Sequence, residues 1–361
     1  MDRRRQTNDQ PLGVMPPFVG SELELSWIDQ VATAMGRRIG TRGAILCFHG
    51  IDLASSPSTL HVCPSLFEVM VATARSLGTV VPLADLVGRH RAGRSTEGLI
   101  ALTADDAYVS LLALEPFLTR EDVSLTVFVI SGALARGPSF WWDRLDDVCT
   151  HAPADRWRRF EDHCGVPDRY RRGQPAHEGR LRPLRQWVLA EHAGRWPTAL
   201  EPPLAQLEAD LGRRTTQRAM TADELAGFAA RAGVQIGVHT ISHAVLPLLP
   251  DDEVIGEVAG CHRALRERFA NVLPYLAAPF GLFDARTLTL AHEAGMDVSL
   301  TLAGTPLGGS YVRELGIPRL CMVQDYTPGM VALHITGVAS VVNRIRGKVT
   351  TPYPPLPSAT S

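Results

Sequence analysis

The chain has 361 residues, 45% hydrophobic and 20% charged, with a formal net charge of −2. That length allows a large core in one α/β domain or two smaller ones, and that balance offers no basic surface for nucleic acid or an anionic membrane. The only lysine is Lys348, in a polar stretch outside any P-loop pattern, which excludes lysine Schiff-base and P-loop chemistry.

Residues 1–20 are polar and rich in Pro and Gly, and read as a flexible lead. GAILCFHGI (43–51) is a short β-like run, and PSLFEVMVATARSLG (64–78) has helical spacing with Gly78 as its C-cap. TVVPL (79–83) predicts a strand and ADLVGRHRAG (84–93) a helix. GLIALT (98–103) is continuously apolar, as a strand buried on both faces would be. A helical stretch to Leu118 then leads into the strand SLTVFVI (124–130).

Residues 138–219 break this rhythm with RWRRF, RYRRG and RLRPLRQW, and predict a mostly helical insertion whose arginines form a solvated face or an anion-binding one. The core pattern resumes at Thr221-Ala-Asp-Glu224, a capping box. VQIGVHT (234–240), VLPYLAA (272–278) and MDVSLTL (296–302) predict strands, with helices over 251–270 and near 284–294. Alternating β and α with apolar strands means a parallel sheet, open or closed into a barrel. The tail TPYPPLPSATS (351–361) is too proline-rich for helix and is expected to be disordered.

Cys47, Cys63, Cys149, Cys164, Cys261 and Cys321 never form C-x-x-C, which speaks for reduced thiols rather than a zinc ribbon or disulfide scaffold. No secretory signal follows the charged start, and no apolar run reaches the roughly 18 residues of a membrane span, so a soluble cytoplasmic protein is expected.

The chemistry gathers at predicted strand ends, where parallel α/β folds keep their sites. LIALTADDAY (99–108) ends an apolar run in Asp105 and Asp106. Adjacent carboxylates at a buried strand end raise each other's pKa and cost desolvation. The compensation is a cation from elsewhere in the chain, a bound metal, or exposure in a loop. His239 and His243, in VHTISH, stand four residues apart and share a face if that segment turns helically. Two imidazoles and a carboxylate suit zinc and other divalent first-row metals. His49 closes the first strand at the same rim, in a substrate, supporting or structural role. HEAGM and HEGRL lack the second histidine of a zincin, and no G-x-S-x-G or G-x-G-x-x-G occurs.

T-x-D-D at 103–106, H-T-x-S-H at 239–243 and A-A-P-F-G at 277–281, in that order, resemble the polysaccharide deacetylases (carbohydrate esterase family 4, the NodB-homology domain). The likeness runs from about residue 43 to 325 and takes in FHGI, TVFV at 126–129 and IPRL at 317–320; FWWDRL at 140–145 resembles a subgroup of bacterial members. The resemblance implies a deformed (β/α) barrel, assigned to residues 21–350, that removes N-acetyl groups with one divalent metal. Zinc is expected, with cobalt, nickel or manganese as alternatives. It implies Asp106, His239 and His243 as ligands and Asp105 as the general base. A backbone N–H near Phe280, in Pro279–Phe280–Gly281, would share the oxyanion with the metal. His334, in the only match to a late Leu-x-His motif, would be the general acid, with His49 or Asp105 as alternative proton donors. Trp141 and Trp142 offer aromatic faces for a sugar ring or pack a lid.

The sequence departs from the family at Ala104 and Ala107, which replace Phe and Gly, and at Ala277, where an arginine often orients the base; D-x-x-D-W is missing. The expected partner is an N-acetylated sugar, glycolipid or short glycan in cytoplasmic biosynthesis, and no nucleic acid. A catalytically impaired binding or regulatory protein on the same scaffold, or a deacylase of a non-sugar amide, are the competing readings.

Overall fold

The computed structural model describes residues 27–345 apart from Ser55, 172–180, Ala232 and 308–315. The lead at 1–20 and the tail at 351–361 lie outside the described residues. The strands are β1 (Ala44–Phe48), β2 (Thr79–Val80), β3 (Leu99–Ala104), β4 (Leu125–Val129), β5 (Val234–Val238), β6 (Val272–Ala277), β7 (Val298–Thr301), β8 (Ile317–Pro318) and β9 (Leu320–Cys321). The helices before the insertion are α1 (Trp27–Ile39), α2 (Pro64–Leu77), α3 (Leu83–Arg91) and α4 (Glu115–Arg120). Within it come α5 (Trp141–His151), α6 (Ala154–Cys164), α7 (Asp168–Arg171), α8 (Arg182–Glu191) and α9 (Glu201–Leu211). After it come α10 (Ala222–Ala229), α11 (Asp251–Arg266), α12 (Ala285–Glu293), α13 (Pro328–Ile335) and α14 (Val338–Ile345).

All named strand pairings are parallel, in the order β8-β7-β6-β5-β4-β3-β1-β9, with β2 added beside β3. β8 pairs with β7 and β9 pairs with β1, and only Arg319 separates them. The segment 317–321 therefore belongs to both edges of the sheet and draws it into a nearly closed, deformed (β/α) barrel. Period-2 alternation then sorts the side chains. Ile45, Ala101, Phe128, Ala277 and Leu300 fill the barrel interior with Leu83, Leu86 and Val87 of α3. Leu46, Leu102, Val127, Ile236 and Leu276 pack with the surrounding helices.

Several elements differ from the sequence reading in instructive ways. TVVPL yields only the two residues of β2, because Pro82 caps α3 instead of extending the strand. The stretch after the Asp pair is a 3-10 helix over Val109–Leu114 before α4 begins. Gly78 does cap α2, but its backbone is extended; glycine is required because a Cβ would stand 2.4 Å from the Gly98 carbonyl oxygen.

The insertion holds α5 to α9, and its ends meet where the Ala219 N–H donates to the Pro138 carbonyl at 2.9 Å. It has its own apolar core (Leu145, Val148, Trp157, Leu184, Val188 and Leu204), which Val245 and Phe280 of the barrel rim join. At its exit Thr221 accepts from the Glu224 N–H while the Glu224 carboxylate accepts from the Thr221 N–H and from Arg218.

Losing this cap should lower stability, with Thr221→Ala costing about 1 kcal/mol in denaturant unfolding. Glu224 is held down at about 2, first by its hydrogen bonds from Arg218. A depressed folded-state pKa stabilises above the unfolded value of about 4.3 and loses that contribution as pH falls toward the folded value. The stability gap between wild type and Glu224→Gln should thus be wide at pH 6 and narrower at pH 3; an equal gap at both would contradict the ion pair.

Candidate active site

Alternation carries Cys47 and Thr103 into the barrel and brings Asp105 to the same interior, just past the end of β3. Arg319 reaches it from the closing segment, donating from Nη1 to Oδ1 at 2.6 Å and from Nη2 to Oδ2 at 2.7 Å. Both residues are buried, Arg319 completely. Arg319 also donates to Thr103 Oγ1 at 3.3 Å, and its guanidinium lies 5.2 Å from the Phe128 ring centre. Burial alone would raise the Asp105 pKa; the Arg319 charge outweighs it and holds the carboxyl well below the usual range. The arginine beside Asp105 thus comes from the link between β8 and β9, not from position 277.

An extended chain would turn the next side chain outward. Asp106 has φ 69° instead, and this left-handed turn aims its carboxylate across the barrel mouth. Ala107 follows at φ 54°, so the position where the family has glycine does require left-handed backbone, and alanine bears a cost of roughly 1–2 kcal/mol there. The H-T-x-S-H segment is not helical. Left-handed turns at Thr240 (φ 65°) and His243 (φ 58°) fold it into a loop that presents both imidazoles. Buried Glu257 of α11 pins the loop, accepting from the N–H groups of Ile241 and Ser242 at 2.9 Å each. Arg195 from the insertion donates to Glu257 and to Ser242 Oγ, at 2.9 and 3.1 Å.

His239 Nε2 stands 3.3 Å and His243 Nε2 3.4 Å from Asp106 Oδ1. One ligand atom from each of the three lies within 4.8 Å of the others, and all three residues are buried. Asp106 Oδ1 makes no hydrogen bond of acceptable geometry among the described residues. A buried carboxylate oxygen, unsatisfied yet flanked by two imidazole nitrogens, fits a divalent cation. His239 donates from Nδ1 to the Ala277 carbonyl at 2.8 Å, which turns Nε2 toward Asp106, and Nε2 of the neutral ring is the atom that would ligate a metal. Burial pushes the His243 pKa down, to about 3, so its ring is neutral. Cys47, His49 and Asp105 form a second close trio, but the Arg319 charge on Asp105 disfavours a cation there.

The cavity over these groups is lined by His49, Trp141, Trp142, Arg185, Phe280 and Leu302, among others. Pro279–Gly281 is a tight turn with Phe280 at φ 55°, and the Phe280 ring packs 4.4 Å from His243. Trp142 packs on His243 at 4.7 Å, beside Phe280. Trp141 is largely committed to packing: it stacks on Trp196 and donates to the Gly194 carbonyl at 3.1 Å. His334 is the sequence candidate the fold does not bring here. It sits on α13 in the helical layer with α1 and α2, stacked on Tyr326 at 4.9 Å, and is not among the cavity-lining residues. A two-residue match carries too little register information to place a side chain, and helix packing decided its position. Arg319, conversely, had only one sequence signal: a lone basic residue inside the apolar run IPRLCMV.

The family model described as polysaccharide deacetylase matches residues 211–299, a stretch with His239, His243 and Phe280 but not the Asp pair. That match spans about a quarter of the chain. Among solved structures it is similar to the Streptococcus pyogenes deacetylase PplD in complex with acetate, at TM-score 0.52 and 14% identity, over 81% of this chain and 97% of that one. It is also similar to IcaB from Ammonifex degensii, at TM-score 0.51 and 16% identity, over 82% and 98%. At such identities the likeness establishes the fold, the deformed barrel of the NodB-homology type. No curated protein gives a significant match. No described helix is long and apolar enough to cross a membrane.

Removing Arg319 would leave Asp105 buried and unpaired, so Arg319→Ala should cost about 3–5 kcal/mol in urea unfolding. The apolar pair Asp105→Leu with Arg319→Met should recover much of that loss. A single-variant cost under about 1 kcal/mol would show that water, not arginine, solvates Asp105.

Proposed function

We propose that this chain is a metal-dependent hydrolase that removes the N-acetyl group from an N-acetylated sugar, glycolipid or short glycan. The observation that carries the reading is the convergence of Asp106, His239 and His243 beside a second carboxylate clamped by arginine. The polysaccharide deacetylase match over 211–299 supports the reaction class and the sugar. Zinc suits two neutral imidazoles and one carboxylate best, with cobalt, nickel or manganese accepted by the same donors. When bound, the cation lowers the pKa of a water and polarises the acetyl carbonyl.

The chain's own residues do the rest. Asp105 takes the proton of the attacking water through a lone pair that Arg319 leaves free. A backbone N–H near Phe280 donates to the carbonyl oxygen as negative charge builds on it. As the C–N bond breaks, the departing amine needs a proton. His49, buried at the rim with Nδ1 lacking a hydrogen-bond partner among the described residues, passes it on from Asp105. This assigns to His49 the part that the sequence offered to His334. Trp142 forms an apolar wall against which a sugar face packs.

Zinc-loaded protein should hold about one metal per chain, lost in His243→Ala, and should release acetate from some member of a panel of N-acetylated sugars and glycans. Asp105→Asn should keep the metal and lower kcat by about 10²–10⁴. His49→Gln should lower kcat strongly while His334→Ala leaves it near wild type; the reverse pattern would return the proton to His334. Bound metal without acetate release across the panel would favour a binding protein on this scaffold.

A further inference from the structure

The two imidazoles of the trio are held by different means. His239 has the support usual for a metal-binding histidine, its Nδ1 donating to a backbone carbonyl. His243 Nδ1 is buried with no hydrogen-bond partner among the described residues. Its ring instead packs into the corner formed by the aromatic rings of Trp142, at 4.7 Å and 43°, and Phe280, at 4.4 Å and 60°, which also touch each other at 6.2 Å. Whatever fixes Trp142 therefore fixes a face of His243.

Trp142 is itself tied down. It stacks on Phe140 at 4.6 Å and 10°, and its Nε1–H donates to the Tyr108 hydroxyl at 2.7 Å. That hydroxyl donates in turn to Asp143 Oδ2 at 2.6 Å. Asp143 Oδ1 stands 3.3 Å from His61 Nε2, and His61 Nδ1 is 2.9 Å from Ser56 Oγ. Tyr108, Asp143 and His61 are all buried. Room for the His61 ring depends on Gly50, where a Cβ would stand 2.7 Å away.

Asp143 Oδ1 and His61 Nε2 both lack a hydrogen-bond partner among the described residues, although they stand 3.3 Å apart. One proton shared between them, resting on Asp143, would spare the pair a buried charge. It also leaves His61 Nδ1–H to donate to Ser56. Burial favours this neutral arrangement, raising the Asp143 pKa and pushing His61 down to about 4. The bonded part of the relay runs from Trp142 through Tyr108 to Asp143.

We infer that Tyr108 and Asp143 are positioning residues which, through Trp142, lock the His243 imidazole in its metal-binding orientation. The relay replaces with a fixed aromatic contact the hydrogen bond that His243 lacks. It joins the insertion, through Trp142 and Asp143, to the residue that follows Asp106 and Ala107 in the barrel. The inference rests on the metal site of the proposed function, and its test separates the two.

The experiment measures zinc affinity by chelator competition and the His243 ring by imidazole ¹⁵N NMR, in wild type, Tyr108→Phe, Asp143→Asn, Trp142→Phe and the double variant Tyr108→Phe/Trp142→Phe. Tyr108→Phe and Asp143→Asn should each weaken zinc about tenfold and shift or broaden the His243 resonances while sparing those of His239. Trp142→Phe keeps an aromatic face but loses Nε1–H, so the double variant should be no weaker than Trp142→Phe alone. Unchanged zinc affinity and resonances in these variants, with wild type binding zinc, would overturn the positioning role and leave the proposed function standing. Additive losses in the double variant would also overturn it. Wild type that binds no zinc would instead sink the metal site, and the His243 resonances of the metal-free variants would decide the positioning role by themselves.

Discussion

A completely buried arginine paired through both nitrogens with a buried aspartate is an expensive contact, since each charge gives up several kcal/mol of hydration. The Arg319–Asp105 pair stands where the barrel closes, and the rest of the site takes its arrangement from it. With Asp105 neutralised by the chain itself, the second carboxylate of the Asp-Asp pair has no arginine or lysine partner among the described residues. Its neighbours are imidazoles, which attract a metal rather than replace one. The question posed by two adjacent acids thus has two answers, one for each residue.

Much of this was legible in the sequence because it is local. β3 is a continuous apolar run, the capping box at Thr221 and Glu224 is a pattern of adjacent residues, and the ordered motifs mark Asp105, Asp106, His239 and His243. What sequence reasoning missed is tertiary. Arg319 meets Asp105 across 214 positions, and nothing in IPRL announces that its side chain points inward. The two-histidine segment has the i, i+4 spacing of a helix but is a kinked loop, because Glu257 takes its backbone N–H groups and removes the need for helical ones. His334 failed for the opposite reason: an isolated match on an apolar segment was settled by packing against α1 and α2.

The helical insertion is more than an appendage. Its apolar core takes in Phe280 and Val245 from the barrel, Trp142 touches both its core and that of the barrel, and Arg195 reaches Glu257 beneath the histidine loop. Loops that carry function on a rigid scaffold are usually steadied by the scaffold. Here the added helices steady the histidine-bearing loop and one wall of the cavity, so the cavity's shape depends on both units packing together.

The closing segment also sets an order of events during synthesis. Asp105 is made early, while the residues that seal the barrel and neutralise it emerge from the ribosome only after more than two hundred further residues. Local helices can form as they appear, but a contact of such high sequence separation bears the loop-closure entropy of nearly the whole domain. Until then the strand bearing Asp105 has no favourable buried position, and its carboxylate is better left in water. A nascent or truncated chain ending before 317 therefore has an open sheet with bare edges on β1 and β7, the kind of surface that recruits chaperones or aggregates. Completion of the barrel and completion of the site are one folding step.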